Sequence, residues 1–368
     1  MIYHCEDHSC NYWDEGEKLP ERCPQCGRKL LRANETDMTG DDWTALGNTL
    51  WDAEASDKKR MVDCFRKAAY LGSAWGVCNL GICMEQGNGV EADPVQAFWL
   101  YQQAVEMGSL NAVCCLGVCY QYGIGTAPDA EKAAELYCKA AEYGSPRGQM
   151  LLARAFHDGI GVEADAAEAV HWVRAAAYQR YGEGMYRLGV CYEYGDGVEQ
   201  NWEHAVHWFR EAAESGVSTA MTDLGYCYEK GCGVEQSWEQ AFSWYRRGAE
   251  CGYPVSMSNL GLCYKRGYGV EQNWQEAIKW YEQGAQCGDL QSMHNLACCY
   301  ERGEGVEQNE DRALYWYRRG AEGGNGSAMC NLGRCYKRGY GVEQNWQEAV
   351  KWYEQGAQCG NLQSMHNL

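Results

Sequence analysis

A chain of 368 residues that is 46% hydrophobic and 23% charged is too apolar to be disordered and too long for one ordinary core. Its net charge of −19 argues against general nucleic-acid binding, which relies on Lys and Arg against phosphates, and against an anionic membrane surface. No run of roughly 18 apolar residues is present, and the opening MIYHCEDHSC lacks a basic stretch followed by an apolar one. The expectation is a cytoplasmic protein with no transmembrane helix or signal peptide, whose 22 cysteines are mostly reduced and buried.

Residues 1–30 stand apart. They carry Cys5 and Cys10, then the run Cys23-Pro24-Gln25-Cys26-Gly27. Two thiolates two residues apart reach one tetrahedral ion, and the glycine frees backbone N–H groups to face the sulfurs. Cys5 and His8 are separated by the usual two-residue gap, so His8 is the alternative ligand to Cys10; four soft thiolates suit Zn²⁺ best, with iron as the chemical alternative. The segment resembles a zinc ribbon or rubredoxin-like module, a small metal-stabilised β-type unit. Residues 31–41, LRANETDMTGD, read as a linker.

From Trp43 the chain repeats. A Gly-x-Gly pair falls at Gly87/Gly89 and recurs every 36 residues to Gly339/Gly341, eight times in all. A shorter opening unit at about 43–72 precedes these eight, and a truncated first helix follows them at Leu368. Within each unit a first helix carries Leu-Gly-x-x-Tyr, as at Leu260, Gly261 and Tyr264, above a column of small residues that includes Ser256. The first glycine of the pair caps that helix in a left-handed turn. A second helix starts at an Asx or Ser residue such as Asn273, with Glu276 and Glu348 placed to complete capping boxes. Ala277, Trp280, Tyr281, Gly284 and Ala285 then form one apolar stripe, and Gly288 closes the unit. An αα-hairpin of this kind buries both faces only by stacking on its neighbours, so residues 42–368 are expected to form an all-α solenoid. The unit at 153–180 departs most, with Ala153 and Arg180 in place of glycines.

The pattern is close to a tetratricopeptide motif but two residues longer per unit. That period, with Gly-x-Gly-Val between the helices, resembles the Sel-1-like repeat family over about nine-tenths of the chain. The resemblance implies a right-handed superhelix with first helices on the concave side, and a non-enzymatic scaffold that assembles protein complexes. In one subfamily cysteines pair between the two helices of a unit. Here Cys83, Cys119, Cys191, Cys227, Cys263, Cys299 and Cys335 recur without a matching second-helix column and read as small core hydrophobes. Some cysteine-rich relatives are linked to β-lactam binding, which implies a weaker hydrolase alternative.

No Ser/His/Asp motif and no P-loop is present, and His204 with His207 is a poor metal site, so neither an enzyme nor a small-molecule substrate is expected. The candidate site lies on the first helices. If these line a groove, Asn259, Asn295 and Asn331 face it, with an amide suited to an extended peptide backbone. Arg266, Arg302 and Arg338 follow two turns later, beside Lys265 and Lys337. The sharp expectation is an acidic or C-terminal segment of a partner protein held there. The bland one is that the arginines pair with glutamates such as Glu301 and the asparagines satisfy neighbouring backbone. An alternative function directs the chain to nucleic acid through the ribbon, where Lys18, Arg22, Arg28, Lys29 and Arg32 are offset by Glu6, Asp7, Asp14, Glu15, Glu17 and Glu21.

Overall fold

A computed structural model describes residues 2–5, 13–15, 30–33, 38–52 and 54–367, with side chains from Met38 onward except at 53, 55 and 56. The strands β1 (Ile2–Cys5), β2 (Trp13–Glu15) and β3 (Leu30–Ala33) form an antiparallel sheet in the order β2-β1-β3. Cys5 ends β1 opposite Leu30. The start of the expected linker is therefore strand, because the backbone of 31–33 finds partners along β1. His8, Cys10, Cys23 and Cys26 lie outside the described residues.

The chain falls into two compact units, Met1–Gly184 and Met185–Leu368. In the first, hairpins pair α1 (Gly40–Thr49) with α2 (Ala55–Tyr70), α3 (Ala74–Gln86) with α4 (Pro94–Glu106), α5 (Leu110–Tyr122) with α6 (Ala130–Glu142), and α7 (Pro146–Asp158) with α8 (Ala166–Tyr178). Helix α9 (Gly182–Tyr194) runs across the boundary, followed by α10 (Trp202–Glu214). The second unit continues with α11 (Ser218–Lys230) and α12 (Trp238–Glu250), α13 (Pro254–Arg266) and α14 (Trp274–Gln286), α15 (Leu290–Arg302) and α16 (Glu310–Glu322), α17 (Gly326–Arg338) and α18 (Trp346–Gln358), then α19 (Leu362–Asn367).

One hairpin shows why the sequence does this. Helix α13 ends because Gly267 turns left-handed at φ 72°, which lets the Tyr268 N–H reach back to the Cys263 carbonyl at 3.0 Å. Helix α14 starts because the Asn273 side chain accepts from the N–H groups of Gln275 and Glu276. The expected capping box is only half made. The Asn273 N–H donates instead to the Tyr264 carbonyl at 2.9 Å, and Glu276 turns to Lys279 at 3.5 Å. The two helices then close on each other where the Tyr281 ring covers Gly261; a Cβ there would fall 2.6 Å from a ring carbon.

The same ring-on-glycine contact recurs at Gly47/Phe65, Gly81/Tyr101, Gly225/Tyr245 and Gly333/Tyr353. Alanine replaces the glycine at Ala153 and Ala297; the residue twenty positions on is Val173 in the first case and Tyr317 in the second, both buried. Arg180 keeps the closing turn of its unit, at φ 60°, the left-handed region that glycine fills in the other units. Successive hairpins stack through the small column: Ser256 is fully buried against Gly248 of the preceding second helix. No helix among the described residues is long and apolar enough to cross a membrane.

Gly269 has φ 68° and lies against the backbone carbonyl of Trp238, whereas Gly288 has φ 90° and open space around its Cα. Gly288→Ala should cost only left-handed strain, about 1–2 kcal/mol. Gly269→Ala adds a backbone displacement and should cost about 3 kcal/mol or more, a gap that denaturant midpoints of the two variants will read.

Candidate protein-interaction face

First helices touch the next first helix as well as their own partners: α11 meets α13, α13 meets α15, and α17 meets α19. Across these contacts, side chains 37 residues apart come together. Asn331 donates from Nδ2 to His294 Nε2 at 3.0 Å, and Asn367 donates from Nδ2 to Cys330 Sγ at 3.5 Å. Tyr186 hydrogen-bonds Asp223 at the same separation. The asparagine column is thus partly spent on joining one repeat to the next. Asn295 accepts from Gln291 at 3.1 Å, and Asn259 makes no side-chain hydrogen bond among the described residues.

The cations sort differently. Lys265 is 15% exposed, ion-paired with Glu304 at 3.0 Å and 5.2 Å from the Trp274 ring centroid. Lys337 lies over Trp346 in the corresponding place, at 5.4 Å. Arg302 reaches the other oxygen of Glu304 at 3.6 Å, an exposed pair worth about 0–1 kcal/mol. Glu301 is taken by Arg334, which donates to both its oxygens at 2.9 and 2.8 Å, and by the Tyr317 hydroxyl at 2.6 Å. Arg266 and Arg338 are exposed and make no ion pair among the described residues.

A second asymmetry lies beneath this stripe. In four hairpins the tyrosine at the closing position sends its hydroxyl to an acceptor 16 residues earlier: Tyr101 to Glu85, Tyr137 to Gln121, Tyr245 to Glu229, Tyr317 to Glu301. For Tyr281 that position is Lys265, a donor, and the fully buried Tyr281 hydroxyl has no partner. Lysine at this position therefore costs stability locally while supplying charge to the face.

The other end of the second unit has opposite character. Burial, then the neighbouring Asp223, pushes the Glu193 carboxyl up; burial likewise raises Asp223, against the hydrogen bond from Tyr186. Tyr194 and Tyr226 are exposed beside them. Among the cations sit two groups that sequence reading passed over, His294 and Cys298, 3.6 Å apart. Burial lowers the His294 pKa, with Lys265, Arg334 and Arg302 acting in the same direction, so the ring is held neutral as the acceptor of Asn331. The signal for them was a break in the repeat: the series Leu262, Cys298, Arg334 changes chemistry at each step.

The cysteine column is buried as thiols. Burial pushes Cys83 and Cys299 up to about 11, and Cys227, Cys263 and Cys335 to about 12. His204 packs 4.9 Å from the Tyr192 ring.

Paired helices of constant length, stacked on small residues and presenting a run of side chains rather than a closed cleft, define an all-α repeat solenoid. The chain belongs to the Sel1 repeat family, whose model matches residues 76–109, 112–145, 146–181, 182–217, 218–253, 254–289, 290–325 and 326–361. It is similar to a protective antigen of uropathogenic Escherichia coli that displays an SLR fold, at 33% identity and a TM-score of 0.67. That match covers 83% of this chain and 66% of the antigen. A Sel1 repeat protein from Oxalobacter formigenes is also 33% identical, with a TM-score of 0.60, over 66% of this chain and 96% of that one. No curated protein matches the chain. Sel1 repeat arrays are typically non-enzymatic scaffolds for protein–protein interaction.

Lys265→Gln should give Tyr281 the acceptor that Gln121 gives Tyr137. The expected outcome is a stabilisation of about 1 kcal/mol, read as a raised denaturant midpoint; a loss of stability would mean the Glu304 pair matters more than the orphaned hydroxyl.

Proposed function

We propose that this protein is a scaffold whose first-helix face in residues 185–368 holds a segment of a partner protein. Arg266, Arg302 and Arg338 receive carboxylates of an acidic or C-terminal stretch, Lys265 and Lys337 add positive potential, and Asn259 and Asn295 meet its backbone. Asn331 contributes through the His294 contact rather than directly. The observation that carries the reading is that Arg266 and Arg338 stand exposed and unpaired in a chain of net charge −19, which otherwise has carboxylates to spare. Further support comes from Tyr281, whose hydroxyl is left without an acceptor so that Lys265 can occupy its place. Desolvated arginine forks on carboxylates are the strong form of such pairs.

Binding of a panel of acidic and C-terminal peptides is the test. The triple reversal Arg266→Glu, Arg302→Glu, Arg338→Glu should weaken the best peptide at least tenfold, about 1.4 kcal/mol, and flatten its salt dependence. Unchanged affinity sinks the proposal.

The segment that carries β1, β2 and β3 belongs in the same proposal as a zinc ribbon held by Cys5, Cys10, Cys23 and Cys26, with His8 as the substitute for Cys10 and iron as the substitute for zinc. Support comes from the Cys-Pro-x-Cys-Gly spacing and from Cys5 ending β1. So small a sheet has little core of its own, and metal would supply its folding free energy. Metal analysis of the purified chain should find about one zinc per molecule, lost in Cys23→Ser/Cys26→Ser; a chain without metal removes this part of the proposal.

A further inference from the structure

We propose that Cys78 and Cys115 form an oxidisable dithiol that a small hydroperoxide converts to a disulfide, tying the first helix of one repeat to the first helix of the next. Cys78 lies on α3 and Cys115 on α5, in helices that touch. Their separation of 37 residues is the one that brings Asn331 onto His294 and Asn367 onto Cys330. The two thiols are in hydrogen-bond contact. Polar groups close a ring around them. Asn111 donates from Nδ2 to Cys78 Sγ at 3.5 Å, and Arg147 donates from Nη1 to Cys115 Sγ at 3.5 Å and to Asn111 Oδ1 at 2.6 Å.

These surroundings separate the pair from the ordinary buried cysteines. Burial holds the Cys119 thiol up at about 12, with Glu85 acting in the same direction. At Cys115 the hydrogen bond from Cys78 and the Arg147 guanidinium outweigh burial and the Glu85 carboxylate, and the thiol is held below its ordinary range. Cys78, as the donor, is pushed up. The groups that face Cys115 are Cys78 and Glu85 from α3, Tyr101 from α4, Arg147 from α7, and Cys114 and Cys119 on its own helix. A thiolate is the nucleophile, so Cys115 attacks and Cys78 resolves.

The chemistry balances. The Cys115 thiolate attacks one oxygen of the hydroperoxide, the O–O bond breaks, and the departing alkoxide takes up a proton as the alcohol. Cys115 is left as a sulfenic acid. Cys78 sulfur then attacks Cys115 sulfur, its proton leaves with the displaced hydroxide as water, and the S–S bond forms. Two thiols and one hydroperoxide give one disulfide, one alcohol and one water. Burial decides the oxidant class: Cys115 is 5% exposed and Cys78 0%, which admits hydrogen peroxide but not a bulky disulfide such as oxidised glutathione.

The test is peroxide treatment of the full-length protein, alkylation, and peptide mass spectrometry without reduction, with Cys119 as the internal reference thiol. A Cys78–Cys115 linked peptide should accumulate and disappear with dithiothreitol. In Cys78→Ser, Cys115 should instead be trapped by dimedone as a sulfenic acid. The midpoint of the pH profile for Cys115 oxidation should lie below that of Cys119, while Arg147→Met should move it upward. Loss of thiolate, partly offset by higher intrinsic nucleophilicity, should slow the pH 7 reaction ~3- to 10-fold. Cys115 oxidising no faster than Cys119, or an unchanged pH profile in Arg147→Met, overturns the proposal.

Discussion

Every hairpin but α7/α8 closes where an aromatic ring from its second helix lies on a residue of its first helix that has almost no side chain. At Gly261 the Tyr281 ring occupies the space a Cβ would need, and the same contact is made at Gly81 by Tyr101 and at Gly333 by Tyr353. Burying such a ring contributes about 2–3 kcal/mol, and an αα-hairpin has little else with which to fix the separation of its helices. Once that separation is set, the small residues at Ser256 and its equivalents bring the next hairpin close enough for first helix to meet first helix. The face then follows from the register. Residues 37 apart are forced together, and residues one turn away are left outward.

This constraint explains which parts were legible in the sequence. Gly267, Asn273 and Gly288 act through their own backbone or a neighbour within three residues, so spacing alone revealed them. The asparagine column was read as open to a ligand because its competitor is not local. The His294 ring that accepts from Asn331 belongs to the preceding repeat. Lys265 was read as a free cation for the same reason: Glu304, which holds it, stands in the turn of the following repeat, where the neighbouring units carry Tyr268 and Tyr340. The capping boxes failed on a competitor too, since the Tyr264 carbonyl takes the N–H that Glu276 was expected to satisfy.

What the array does with its freedom is uneven along the chain. Where stacking demands a residue, the column is nearly constant. Where it does not, the chemistry changes from repeat to repeat: Tyr194 and Tyr226 beside two carboxyls with raised pKa values, then Arg302 on Glu304 and the exposed Arg266 and Arg338, which make no ion pair among the described residues. The Tyr281 hydroxyl is the clearest sign that this variation is not neutral, because a buried donor without an acceptor opposes folding. In the first unit the same register gathers two thiols and a guanidinium instead. One packing rule therefore yields a row of exposed arginines in one place and a close pair of thiols in another.

The central claim is that partners meet the first helices and not the second. Site-specific photo-crosslinking tests it most directly. A photoreactive residue placed at Asn259, on the first-helix face, is compared with one at Lys279, on the exposed side of α14, during assembly with partner proteins from the native host. The account predicts salt-sensitive adducts from position 259 that excess acidic peptide competes away, and none of that kind from 279. Adducts from 279 alone would contradict it.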